Sequence, residues 1–134
     1  MEDDELRLLI MRVARRIRSE RAGDALSDSQ LGVLFKLEHE DHSPGDLATI
    51  ERVTPPSMNR TVNGLERAGL VQRHPAEDDA RRVRITITDA GRAYLAETRA
   101  LRTAWLSRQL AAISPGERAA IEAVLPVLRK FAES

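Results

Sequence analysis

The side chains best suited to recognition chemistry lie in one stretch, TPPSMNRTVNGLER, at residues 54–67. At helical spacing, Met58, Val62 and Leu65 share one apolar face. Pro56, Arg60, Asn63 and Arg67 fall on the opposite face, with Ser57 and Asn59 on its flanks. An Arg fork matches the guanine O6 and N7 acceptors, and an Asn amide matches adenine N6 and N7. Ser57 is small enough to approach a base or a phosphate closely, and Pro56 can press on a thymine methyl. Thr54 stands as N-cap at the leading edge, and Pro55 takes the first helical position, where its missing N–H costs nothing. The helix start is also expected to offer free N–H groups to a phosphate. Periodicity alone leaves two readings open: a DNA-reading face, or a polar face that merely meets water.

Other chemistries find less support. His39 and His42, among Glu38, Glu40 and Asp41, resemble a metal cluster, but third and fourth ligands at defined spacing are missing, and a solvated turn is the simpler expectation. His74 suits a phosphate contact or plain exposure better than catalysis. Glu77, Asp78 and Asp79 form a carboxylate group with no partner His or pocket-forming glycines. The chain has no phosphate-binding Gly-rich loop. It has no cysteine, which excludes disulfides, thiolate catalysis and Cys-ligated zinc. The chain is therefore expected to be no enzyme, with no cofactor and no metal.

The elements that must carry residues 54–67 follow from local signals. The 134 residues suffice for one domain with a core. Aromatics are 3%, so Leu, Ala, Ile and Val must build that core, which favours helix on helix. Leu6, Leu9, Ile10, Val13 and Ile17 make an apolar stripe over 5–21, with Gly23 ending the helix. Ser27 and Gln30 form a capping box ahead of Leu31, Leu34, Phe35 and Leu37. Ser43, Pro44 and Asp46 start a short third helix that turns Leu47, Ala48 and Ile50 inward and closes near Arg52. After the 54–67 helix, Gly69 sits where a left-handed residue is wanted. Two strands, LVQR and VRITIT, are joined by a polar connection. A long helix runs from about Asp89 to Leu110, with Tyr94, Leu101, Trp105 and Leu106 as its larger apolar members. Tyr94 and Trp105 suit the core better than a ligand pocket. Ser114, Pro115 and Glu117 start a last helix lined by Ile121, Val124, Leu125, Leu128 and Phe131, and Pro126 inside it predicts a kink or break.

A short helix, a brief connection and a helix with a polar outer face make a helix-turn-helix, whose second helix enters the major groove. The hairpin directly after it, with Arg81 and Arg82 near its tip, makes a wing. Arg gains in a narrow minor groove from the enhanced negative potential there. The neighbouring acids, Asp79 included, would hold an Arg in place by ion pairing. The fold expected is mainly α with a small β-hairpin: a winged helix-turn-helix at 27–88, flanked by helical segments at 1–26 and 89–134. The central unit is too small to bury the apolar faces of the flanking helices, so a second copy of the chain is expected to cover Leu6, Leu9, Val13, Ile17, Trp105, Leu110, Leu125, Leu128 and Phe131. Charge is balanced, 21 basic against 21 acidic side chains, so a nucleic-acid partner depends on where the charges cluster.

These residues resemble the MarR family of winged helix-turn-helix transcriptional regulators. The match rests on LSDSQLGVLFKL, on TPPSMNRTVNGLERAGLVQR, and on the wing DARRVRITITDAG. The family's helix pattern falls on Leu65, Glu66, Arg67, Ala68, Gly69 and Leu70, and its wing pattern on Asp79, Arg81, Ile87, Thr88 and Gly91. The resemblance implies an obligate homodimer joined by the terminal helices and reading a pseudo-palindromic stretch of double-stranded DNA. It implies a repressor, and a small aromatic or lipophilic effector that releases DNA. The absence of cysteine departs from the peroxide-sensing branch. No apolar run reaches the ~18 residues of a membrane span, and the acidic N-terminus lacks the pattern of a secretory signal. A cytoplasmic location is the expectation. The competing expectation is a winged-helix module that binds protein and not DNA.

Overall fold

Four side-chain hydroxyls set the starts of four helices. The computed structural model describes residues 1–23, 26–76 and 79–134, and of residues 76 and 79–81 the backbone alone. Helix α1 spans Asp3–Ser19, α2 Asp28–Leu37, α3 Pro44–Glu51 and α4 Pro55–Arg67. Strands β1 (Val71–Ala76) and β2 (Asp79–Ile87) follow, then α5 (Asp89–Ala111) and α6 (Pro115–Ala132). Ser27, Ser43, Thr54 and Ser114 each accept a hydrogen bond from the backbone N–H three residues on, and Gln30 and Glu117 close reciprocal capping boxes. Each oxygen satisfies a donor that the helix itself cannot pair.

The compact unit Glu20–Leu101 holds a continuous apolar core. Leu31, Val33, Leu34 and Leu37 come from α2, Leu47 and Ala48 from α3, and Met58, Val62 and Leu65 from α4. Val71 and Ile85 cover it from the hairpin, and Leu95 from α5. Burying an aliphatic side chain of this size contributes about 1.5–3 kcal/mol. Strands β1 and β2 pair antiparallel, with Val71 opposite Ile87 and Arg73 opposite Ile85, and the register shifts between Pro75 and Ala76. His42 adds a bridge on the outer edge: its N–H donates to the Ile85 carbonyl, and the Ile85 N–H donates back at 2.8 Å. A solvated turn was expected there; His42 instead continues the sheet by one residue. The buried Thr98 hydroxyl accepts from the Ala22 N–H at 3.1 Å, tying the segment before α2 to α5.

The second unit comprises Met1–Ser19 and Arg102–Ser134. Neither α1 nor α6 buries a residue. Arg16 lies over the Trp105 ring, 5.0 Å from its centroid, and Arg102 donates to the Arg18 carbonyl. Val13, Ile17, Leu106, Leu110, Ile121, Leu125 and Leu128 line an open apolar recess of about 510 Å³. Among the described residues no helix is long and apolar enough to cross a membrane.

Expectations also change at the end of α1, at Ile50 and at Pro126. Helix α1 stops at Ser19, short of Gly23, which takes φ +54° in the turn beyond. Ile50 is exposed, because the eight-residue α3 turns only Leu47 and Ala48 to the core. Helix α6 runs through Pro126 without the break that was one of the two expected outcomes there.

Candidate nucleic-acid interface

The second helix of the helix-turn-helix is positioned by its inner face. Met58, Val62 and Leu65 are at most 1% exposed, so α4 has one allowed rotation about its axis. That rotation leaves Pro56, Asn59, Arg60, Asn63 and Arg67 exposed and Ser57 half-buried on the flank. Among the described residues neither Arg60 nor Arg67 is held in an ion pair. Arg73 on β1 binds Glu66 at 2.9 Å, which neutralises the acidic side chain of α4 beside that face. Thr54 is exposed at the tip and caps Ser57 N–H at 3.3 Å.

Most of the expected free N–H groups at this tip are absent; among the described residues only the N–H of Thr54 itself is left without a partner. Pro55 and Pro56 have no N–H, the Ser57 N–H goes to Thr54 Oγ1, and the Met58 N–H goes to the Thr54 carbonyl at 3.0 Å. The first turn of α4 therefore keeps its dipole but offers no backbone donor beyond that of Thr54.

The turn ahead of α4 is fixed by backbone geometry. Arg52 ends α3 in the left-handed conformation, φ +56° and ψ +46°. Its N–H donates to the Thr49 carbonyl, and the Val53 N–H donates to the Ala48 carbonyl at 3.0 Å. Gly64 faces the start of α2. A Cβ there would stand 2.5 Å from Gln30 Nε2, the capping side chain of α2. Both positions carry signals that are readable only with the structure: a mid-helix Gly, and an Arg where Gly is usual.

Helix α4, the wing and α5 meet at one junction. Gly69 has φ +77° and passes the chain from α4 into β1. The Thr88 hydroxyl donates to the Gly69 carbonyl at 2.7 Å and accepts from the Gly91 N–H at 3.1 Å. The Thr88 N–H donates to the Leu70 carbonyl at 3.0 Å. Gly91 must lack a side chain, because a Cβ would overlap the Leu70 carbonyl and lie 2.7 Å from Ile87 Cγ1.

On the wing, Arg82 is exposed and Arg84 reaches Asp41 at 3.4 Å. His74 is tied to the Thr86 hydroxyl at 2.9 Å across the hairpin, so it is neither free nor fully exposed. Asp79 and Arg81 lie on β2; their side chains, like Glu77 and Asp78, fall outside the described residues. Behind the interface, Arg99 makes a two-pronged pair with Glu38, at 2.7 Å for Nη1 to Oε2, and lies over the Phe35 ring. The Arg99 hydrogen bond holds the Glu38 carboxyl below its ordinary pKa of 4.5 against the opposing effect of burial. Tyr94 packs against the core, and its hydroxyl is buried without a hydrogen-bond partner among the described residues.

Known proteins share this arrangement. A family model described as the MarR family matches residues 26–82. An uncharacterized HTH-type transcriptional regulator of Mycobacterium bovis is 36% identical over 115 residues, 85% of this chain and 80% of that protein. The crystal structure of a candidate transcriptional regulator from Pseudomonas aeruginosa is 33% identical, with TM-score 0.82, covering 98% of this chain and 94% of that one. Streptococcus pneumoniae FabT, solved in complex with DNA, shares the fold at 20% identity and TM-score 0.68, over 98% of both chains. With the helix-turn-helix, the wing and their junction in place, the chain belongs to the MarR family of winged helix-turn-helix transcriptional regulators.

Proposed function

We propose that this regulator binds double-stranded DNA at a pseudo-palindromic operator as a homodimer and represses transcription from it. The carrying observation is the outer face of α4: Asn59, Arg60, Asn63 and Arg67 stand exposed on a helix whose rotation is locked by three buried side chains. Arg60 and the asparagines read base edges in the major groove, and Arg67 meets backbone phosphate. Thr54, Pro56 and Ser57 fit the leading edge against the groove wall. Arg81 and Arg82 of the wing are assigned to the flanking minor groove, and Asp79 the role of ion-pairing with Arg81.

The 1–26 and 89–134 segments form the dimerisation region, and 27–88 the DNA-binding region. Leu9, Val13, Leu125, Leu128 and Phe131 are 44–58% exposed in the single chain, and Leu6, Ile17, Trp105 and Leu110 are half-buried beside them. A second copy covers them; a standard interface buries about 800 Å² per partner. A small aromatic or lipophilic effector weakens DNA binding. The protein acts in the cytoplasm and catalyses no reaction.

Phosphate neutralisation should dominate the affinity, so binding to duplex DNA should fall steeply between about 50 and 200 mM salt. An affinity unchanged across that range would favour a protein-binding module instead.

A further inference from the structure

The leading edge of α4 poses a problem for DNA docking. Phosphate contacts fix a protein's register on the duplex, and helix N-termini commonly supply them through free N–H groups. Here Pro55 and Pro56 remove two of those donors, and the Thr54 hydroxyl occupies a third, the Ser57 N–H. One backbone donor, the Thr54 N–H, is left at this edge, so a cationic side chain beside it has a phosphate contact to supply.

Arg52 stands two residues before the Thr54 cap. It is exposed, and among the described residues its guanidinium makes no hydrogen bond or ion pair. The adjacent Glu51 does not hold it: that carboxylate lies beside Gly32 of α2, 3.8 Å from where a Cβ there would be. The backbone of Arg52 is pinned by its own N–H bond to Thr49 and by the Val53 bond to Ala48. Its φ of +56° is one that glycine adopts freely and that other residues rarely do. Non-glycine residues kept in this region cluster at functional sites. The side chain, and not the backbone, is the reason for Arg here.

We infer that Arg52 binds a backbone phosphate beside the leading edge of α4, replacing the N–H donors lost to Pro55 and Pro56. It is a positioning residue that fixes register and reads no base. The inference rests on the DNA-binding reading above.

The test compares the parent, Arg52→Gly and Arg60→Ala on a selected duplex across a salt series. Glycine suits the backbone, so Arg52→Gly should match or exceed the parent in thermal stability. Its affinity should fall by roughly tenfold, and the slope of log K against log salt should shrink by about one per protomer. Its base preferences should stay parental. Parental affinity and slope in Arg52→Gly, with Arg60→Ala weakened, would overturn the inference alone. Loss of thermal stability with an unchanged slope would also overturn it, by making Arg52 a helix end only. A parent that binds no duplex in a salt-dependent way overturns both this inference and the DNA reading.

Discussion

The junction of α4, the wing and α5 makes Gly91→Ala a sharp test of the packing. The added Cβ would lie 2.7 Å from Ile87 Cγ1, about 0.7 Å inside ordinary contact at 3.4 Å, and closer still to the Leu70 carbonyl. The carbonyl is backbone and cannot rotate away, so α5 must move off the hairpin. Overpacking of this kind costs about 1–3 kcal/mol. The movement also strains the Thr88 bonds to Leu70 and Gly69, each worth about 1 kcal/mol. Alanine returns up to about 1 kcal/mol of helix propensity. The net loss is about 2 kcal/mol. Unfolding entropy near 2.1 cal/mol/K per residue gives about 0.28 kcal/mol/K for 134 residues, so Tm should drop by about 7 °C. Gly69→Ala is the internal control. Nothing lies within 4 Å of its Cβ, so its cost is the left-handed backbone alone, about 1 kcal/mol. Thermal unfolding followed by circular dichroism measures both. A Gly91→Ala Tm within about 1 °C of the parent, or a Gly69→Ala loss exceeding it, would refute the steric account.

Four further substitutions have expected outcomes. Arg60→Ala should lose about 1–3 kcal/mol of specific affinity and relax preference at one base position, while Arg81→Ala should weaken binding through the A·T-rich flanks, and Asp79→Ala should do the same to a smaller degree; quantitative mobility shifts on site variants separate these. Glu38→Gln should lose on the order of 1 kcal/mol at neutral pH, and because the folded carboxyl titrates below its ordinary value of 4.5, the parent's advantage should be full above that pH and vanish as pH falls through the folded value. Denaturant midpoints of the pair at pH 7 and pH 3 read that convergence, and an equal gap at both would contradict it.

Local signals in the sequence carried furthest. Ser27, Ser43, Thr54 and Ser114 cap where their hydroxyls and following residues say they should, because a cap depends on four neighbouring residues. The apolar spacing of Met58, Val62 and Leu65 fixed the outer face of α4, and Gly69 took its left-handed turn. Contacts between distant segments were not legible. His42 pairing with Ile85, Thr98 binding Ala22, and Glu38 gripping Arg99 depend on tertiary packing that no periodicity encodes. Ile50 misled because eight residues give too little period to fix a face. The loss of two N–H donors at the tip of α4 was legible in Pro55 and Pro56 themselves, since proline carries no N–H wherever it stands.

Selection of bound fragments from random duplex DNA tests the central claim most directly. The account predicts an enriched, two-fold related sequence, with half-site centres about one helical turn apart and guanine or adenine at the positions that Arg60 and the asparagines reach. Recovery of unenriched sequence, or of a single unpaired half-site, would contradict a dimeric, base-reading regulator.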